Sequence, residues 1–225
     1  MIIAIDGPAG SGKSSTATTV AKILDFKYLD TGAMYRAVAL SFLNNHVDIS
    51  NPDEIINRLR TIDIKISDSN SGLKIILNGK DETDAIRSHE VTDMVSEVSE
   101  IGEVREFLVP LQREYAEGKN IIAEGRDIGT VVFPNAELKI FLKASESERV
   151  KRRLKEYEEK GIESDYEQVY TIIQKRDTID STRKHSPLVK ADDAIEVDTT
   201  KLVFDEQVKI IIDLYEQRIS KSAGG

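Results

Sequence analysis

Eight residues near the start of the chain, Gly7-Pro8-Ala9-Gly10-Ser11-Gly12-Lys13-Ser14, constrain its fold more than any other stretch. They match the spacing G-x-x-x-x-G-K-[ST], which carries meaning only between a strand and a helix. Both flanks are present. Met1 to Asp6 is an apolar run of strand length, and Ala17, Val20, Ala21 and Leu24 recur at helical spacing. Glycines at 7, 10 and 12 can take positive φ, so the loop can wrap with its backbone N–H groups turned inward as a nest for phosphate oxygens. The helix that follows adds the partial positive charge of its N-terminus. This combination implies a nucleoside triphosphate site, with Lys13 reaching the β- and γ-phosphates and the Ser14 hydroxyl holding Mg²⁺.

The rest of the chain alternates strands and helices. Lys27 to Asp30 reads as a second strand, and a helix runs from Thr31 to about Leu43. A short helix follows Asn51-Pro52. The period then changes from 3.6 to 2. Ile62, Ile64 and Ile66 alternate with polar residues, as do Leu73, Ile75 and Leu77. Ser69-Asn70-Ser71-Gly72 and Asn78-Gly79 supply the turns of a small antiparallel patch. Helical spacing returns at Val91, Met94, Val95 and Val98, and again from Val104 to Tyr115, where Pro110 predicts a kink or a break. Asn120 to Glu124 and Leu138 to Leu142 are strands. Ser145-x-x-Glu148 reads as a capping box opening a charged helix to about Lys160, and Ser164-x-x-Glu167 opens the next, with Val169, Ile172 and Ile173 on its apolar side. Ala194 to Val197 is a last strand, Val208 to Ile219 a last helix, and Ser222 to Gly225 a frayed tail. This order predicts an α/β fold: a parallel phosphate-loop sheet covered by helices on both faces, with ligands bound beyond the carboxyl ends of the strands.

The chain has 225 residues, enough for one sizeable core and a small insert. Its net charge of −9 argues against general nucleic-acid binding, and the absence of cysteine excludes disulfides and thiolate metal sites. Apolar runs are far short of a bilayer span and the chain opens directly on a strand, so a cytoplasmic, soluble monomer without a signal peptide is the expectation. His46, His89 and His185 are scattered and read as surface or loop residues.

A phosphate loop alone does not separate a kinase from a GTPase. Arg36, Arg105, Arg126, Arg176 and Arg183 fall near strand ends and loops. Arg presents a planar charged fork that matches phosphate, so several in one pocket would bind a second phosphate; singly, each could be a surface ion pair. Gly125-Arg126-Asp127-Ile128-Gly129 is more telling, an Arg-Asp pair bracketed by glycines just past a buried strand. No N-K-x-D guanine signature accompanies it.

Four stretches together resemble the bacterial cytidylate kinases of the nucleoside monophosphate kinase superfamily: Ile5 to Ser14, Leu29 to Arg36, Glu124 to Pro134, and Lys175 to Leu188. The resemblance spans nearly the whole chain, and the patch at 62–80 resembles that family's insert. It implies ATP with CMP or dCMP as substrates, the ATP site covering Gly7 to Gly12 (through Pro8, Ala9, Gly10 and Ser11), Lys13, Ser14 and Ser15. It implies Thr31, Ser96, Arg105 and Asp127 around the cytosine, Arg36, Arg126, Arg176 and Arg183 on the acceptor phosphate, and Asp180 on the sugar. Thr31 replaces the family's serine but keeps the hydroxyl. An Asp acceptor suits the exocyclic amine of cytosine. A core of 1–40, 84–145 and 180–225, a monophosphate-binding region of 41–83 and a lid of about 146–165 follow, with Ile162 to Asp165 as hinge. Arg149, Arg152 and Arg153 share one face of the lid helix, and at least one is expected to reach the phosphates. Catalytic roles fall to Lys13, Arg126, Arg183 and Arg153. Asp30 could position Mg²⁺ through water or cap the following helix. A phosphate-loop kinase for another small acceptor, such as dephospho-coenzyme A, is the runner-up.

Overall fold

The computed structural model describes residues 1–69, 72–159 and 161–223. The chain forms two compact units, Met1–Tyr28 with Lys119–Gly225, and Leu29–Gly118.

The first unit is built on β1 (Ile2–Asp6), which pairs in parallel with β6 (Ile121–Gly125) on one side and β7 (Leu138–Lys143) on the other. β8 (Ile195–Asp198) extends the sheet beyond β7, and β2 (Lys27–Asp30) forms the far edge, in the order β2-β6-β1-β7-β8. A central parallel strand is covered on both faces, so it must be apolar throughout. That is why Ile2-Ile3-Ala4-Ile5 and Ile121-Ile122-Ala123 are unbroken runs instead of alternating ones. The strand order turns back at β1, and Asp6 lies opposite Gly125. The loops leaving β1 and β6 therefore depart side by side at the carboxyl edge, where such sheets bind ligands.

Helices cover this sheet. Ala17, Val20 and Ala21 of α1 (Lys13–Leu24) and Val208 and Ile211 of α8 (Phe204–Ala223) join Ile3, Ile5 and Ile140 in one core. Phe26 meets Tyr215 edge to face at 5.6 Å. The helices α6 (Glu146–Glu159) and α7 (Tyr166–Thr182) pack on each other through a separate cluster of Val150, Val169 and Ile173.

In the second unit α2 (Thr31–Asn44) is buried along most of its length and packs against α4 (His89–Val98) and α5 (Gly102–Ala116). α3 (Pro52–Leu59) starts at a proline and is capped by Asn51. The alternating segments form an antiparallel sheet of β3 (Ile64–Ser69), β4 (Gly72–Leu77) and β5 (Lys80–Asp81), with Ile64 opposite Leu77. Asn78 and Gly79 both take positive φ, the conformation a two-residue hairpin turn demands.

Several boundaries differ from expectation, each for a local reason. α5 runs unbroken across Pro110, which sits on its exposed face while Val104, Leu108 and Ala116 are buried. The carbonyl freed by the missing N–H can there be hydrated. α7 is capped by Asp165 with Gln168, not by Ser164 with Glu167, a carboxylate being a stronger acceptor than a hydroxyl for the first-turn amides. The box at Ser145 is half closed. Its hydroxyl accepts the Glu148 N–H at 3.3 Å, but the Glu148 carboxylate goes to Arg152 instead. Ile172 is exposed, and α8 continues to Ala223 where a frayed tail was expected. The expected hairpin residues Asn70 and Ser71, the helix end at Lys160 and the tail residues Gly224 and Gly225 lie outside the described residues. His46, His89 and His185 are all exposed, as expected.

Candidate active site

The glycine-rich loop follows β1 directly. Gly7, Gly10 and Gly12 have φ of 151°, 75° and 92°. A Cβ on Gly7 would stand 2.1 Å from the Leu142 carbonyl oxygen, so neighbouring backbone as well as φ demands glycine there. Lys13 is buried and its Nζ donates to Pro8 O at 2.7 Å. Burial, then the neighbouring Arg126 guanidinium, pulls its pKa down to about 7; Glu124, Asp180 and Asp6 pull the other way. Ser14, at the first turn of α1, is exposed.

Of the three arginines on α6, two turn to the loop's backbone. Arg149 donates to Ala9 O at 3.1 Å and pairs with Asp177 at 2.6 Å. Arg152 donates to Ser11 O at 3.2 Å and to Thr199. Arg153 pairs with Glu156 at 2.8 Å and lies 5.7 Å from the centre of the Tyr157 ring.

Beside the glycine-rich loop, Arg126 and Asp127 directly follow β6. The following turn, Ile128–Val132, is a single π-helical turn, a form often found at functional sites. It is anchored by Asp6, whose carboxylate accepts the Ile128 and Gly129 N–H groups at 2.8 and 2.7 Å. Arg126 Nε donates to Asp180 at 2.6 Å. Arg183, at the C-terminal end of α7, has Asp127 and Asp180 each 3.8 Å away and donates to Ser186 O at 2.7 Å. Burial alone would raise the Asp180 pKa, but Arg126, Arg183 and Arg176 outweigh it and hold the carboxyl below its usual range. The first unit thus gathers Lys13, Arg126, Asp127, Asp180 and Arg183 into one charged, largely buried network. Arg176 is half-buried on α7.

The second unit carries the other expected residues. Asp30 caps α2 by accepting the Ala33 N–H at 2.9 Å, and its second oxygen pairs with Arg36 at 2.8 Å. The capping role of Asp30 is therefore the one observed. Thr31 is buried in the first turn of α2. Arg105 is buried on α5, donates to Ser99 O at 3.1 Å and stacks its guanidinium 5.4 Å from the Tyr35 ring centre. Ser96 lies half-buried on α4.

Sequence reasoning missed Asp6, Asp177, Thr199, Gln207 and Tyr35. An acid ending a buried apolar strand was a readable signal for Asp6. Thr199 and Gln207 sit in ordinary polar surroundings with no local signature.

The chain matches the cytidylate kinase family over residues 3–217. It is 50% identical over 214 residues to the cytidylate kinase of Carboxydothermus hydrogenoformans, covering 95% of this chain and 96% of that one. With the cytidylate kinase of Halalkalibacterium halodurans it shares 47% identity over 219 residues, 97% and 99% of the two chains. A bifunctional pantoate ligase/cytidylate kinase of Prochlorococcus marinus is 49% identical over 222 residues, covering 98% of this chain and 44% of that protein. Among solved structures, an uncharacterized protein from Eubacterium ventriosum shares the fold, with a TM-score of 0.52 at 14% identity over 96% of this chain and 98% of that one.

Proposed function

The chain belongs to the cytidylate kinase family, and from that premise we infer that it transfers the γ-phosphoryl group of ATP to CMP or dCMP, giving ADP and CDP or dCDP. The observation that carries the mechanism is the proximity of the phosphate loop to the Arg126–Asp180–Arg183 network, close enough for Arg126 to depress the Lys13 pKa. The nucleophile is an acceptor phosphate oxygen, whose second pKa is about 6. It is largely deprotonated at neutral pH, so the reaction needs no general base. Two anionic phosphates must instead be held together against their repulsion.

Each residue has a proposed role. Gly7 to Ser15 bind ATP, and Lys13 neutralises charge on the donor. Arg36, Arg126, Arg176 and Arg183 hold the acceptor phosphate, and Asp180 the sugar. Thr31, Ser96, Arg105 and Asp127 read the cytosine. Arg153, which pairs with Glu156, is the lid cation proposed to turn to the phosphates, since Arg149 and Arg152 are engaged with loop carbonyls. The core of 1–40, 84–145 and 180–225, the monophosphate-binding region of 41–83 and the lid of about 146–165 remain the proposed division of labour.

The residues present fit Mg²⁺. Ser14 offers an exposed hydroxyl beside Lys13, and among the described residues no cluster of acidic, histidine or cysteine side chains could hold a metal ion on its own. Mg²⁺ suits such a site, because it keeps several waters and binds largely through substrate phosphates. When bound it would neutralise charge on the β- and γ-phosphates.

No helix among the described residues is long and apolar enough to cross a membrane. A coupled ATP-consumption assay with CMP, dCMP, UMP and AMP tests the function. CMP and dCMP are expected to turn over fastest. Absence of CMP turnover would overturn the assignment, and equal turnover of all four would overturn the base contacts.

A further inference from the structure

The outer side of the phosphate loop is held by side chains from other elements. A trans peptide points its N–H and C=O in opposite directions, and the described residues contain no cis peptide bond. A loop that turns N–H groups toward phosphate therefore turns carbonyls toward the protein behind it, and those carbonyls need donors. Ala9 O accepts from Arg149 at 3.1 Å. Ser11 O accepts from Arg152 at 3.2 Å, with the Thr199 hydroxyl 3.3 Å away. Gly12 O, the N-cap carbonyl of α1, accepts the Thr16 N–H at 3.1 Å and, as a second donor, the Gln207 amide at 3.4 Å, and the same amide group reaches the Thr16 hydroxyl. The N–H groups rigidly opposed to these three carbonyls are those of Gly10, Gly12 and Lys13.

Packing on this side is close. A Cβ on Gly10 would stand 3.1 Å from Arg149 Cβ, and one on Gly12 2.9 Å from Gln207 Nε2. Arg149, Thr199 and Gln207 are all buried. The guanidiniums are themselves oriented, Arg149 by Asp177 and Arg152 by Glu148. Four side chains from α6, α8 and the loop after β8 thus meet the loop on the face away from its amide nest.

We propose that Arg149, Arg152, Thr199 and Gln207 are positioning residues for phosphoryl transfer, fixing the carbonyl face of the phosphate loop so that the Gly10, Gly12 and Lys13 amides are aimed before the triphosphate arrives. This rests on the loop being the ATP site. The gain is preorganisation: dipoles already aligned need no rearrangement when the triphosphate binds or reacts.

The test uses the full chain and small changes. Thr199→Val keeps the shape of the side chain and removes the hydroxyl, Thr199→Ser keeps the hydroxyl, and Gln207→Met removes the amide. Calorimetric titration with ATP should give a dissociation constant about tenfold higher for Thr199→Val and Gln207→Met, as losing one or two hydrogen bonds implies. Thr199→Ser should restore affinity near that of the parent, and KM for CMP should stay unchanged in all three. A merely structural role would lower the melting temperature and leave ATP affinity of the folded protein alone. Unchanged ATP affinity in folded Thr199→Val and Gln207→Met would overturn the proposal, as would an equal loss for ATP and CMP. A parent protein that binds ATP but does not phosphorylate CMP would refute the acceptor assignment while the titrations still decided the positioning role. A parent that binds no ATP would refute both.

Discussion

Asp6 is a buried carboxylate placed at the junction of two loops, and its position has an energetic cost. Burial pushes its pKa up to about 6, the Gly129 and Ile128 N–H groups oppose that shift, and the nearby Asp127 charge adds to it. A carboxyl whose folded pKa exceeds its unfolded value binds more protons when folded, so stability falls as pH rises from about 4 through 6. A rise of about two pKa units corresponds to about 3 kcal/mol. The parent protein is therefore expected to lose about 2 kcal/mol of that relative to Asp6→Asn between pH 4 and pH 7, measured by urea unfolding at both pH values. A stability gap independent of pH would rule this out. Lys13 offers a second residue-level test with the opposite proton balance. With its pKa lowered to about 7, it is mostly neutral in the free protein at pH 8. A triphosphate beside it favours the charged form, so ATP binding should take up roughly one proton there. The signature is a binding enthalpy that varies with the ionisation enthalpy of the buffer; no such dependence would mean that Lys13 is already charged.

Among the elements, the α6–α7 hairpin stands apart because it carries its own small core. Val150, Val169 and Ile173 are buried together, with Leu154, Tyr157 and Tyr170 against them. Ile173→Ala should cost about 2–4 kcal/mol locally, the usual range for a cavity of that size. Amide hydrogen exchange should then speed up in α6 and α7 while β1 and β6 stay protected. Uniform acceleration across the chain would mean that the hairpin is not a separate cooperative element. Helix existence was readable from apolar spacing in α1, α4, α5 and α8, and from proline or capping residues in α3 and α6, but helix ends were not always. Ser164 and Asp165 are adjacent, and either could cap α7 by composition; the Asp165–Gln168 pair prevails because both halves of that box close. At Ser145 the expected partner Glu148 is drawn to Arg152, a side chain whose own place is set by the loop it touches.

At the scale of the whole molecule, the excess of negative charge coexists with cations brought inside. Arg126, Arg149 and Arg183 belong to a chain of net charge −9, yet Arg149 and Arg183 are almost fully buried and all three are paired with aspartates. Substrate choice should therefore be separable by mutation. Arg183→Ala is expected to raise KM for CMP by about 10- to 100-fold, the value of a charge-assisted hydrogen bond, with ATP affinity nearly unchanged. Steady-state kinetics with each substrate varied in turn would show it, and an unchanged CMP KM would remove Arg183 from the acceptor clamp. Asp127→Ala is expected to lose most CMP turnover and to narrow the preference over UMP, because Asp127 is the acceptor proposed to favour an amine over a carbonyl. Intact CMP turnover would refute its place at the base. What the order of residues determined by itself was everything with a short period or a fixed spacing: the phosphate loop, the buried strands, the amphipathic helices, the hairpin patch and the Arg-Asp pair after β6. These depend on φ freedom, burial and alternation over a few neighbouring positions. Only the tertiary structure decided which arginines face backbone carbonyls, that Asp6 anchors the turn at 128–129, and that Thr199 and Gln207 meet the loop from 188 and 195 residues away. Contacts across such separations leave no period in a single sequence, because they are made by the packing of whole elements.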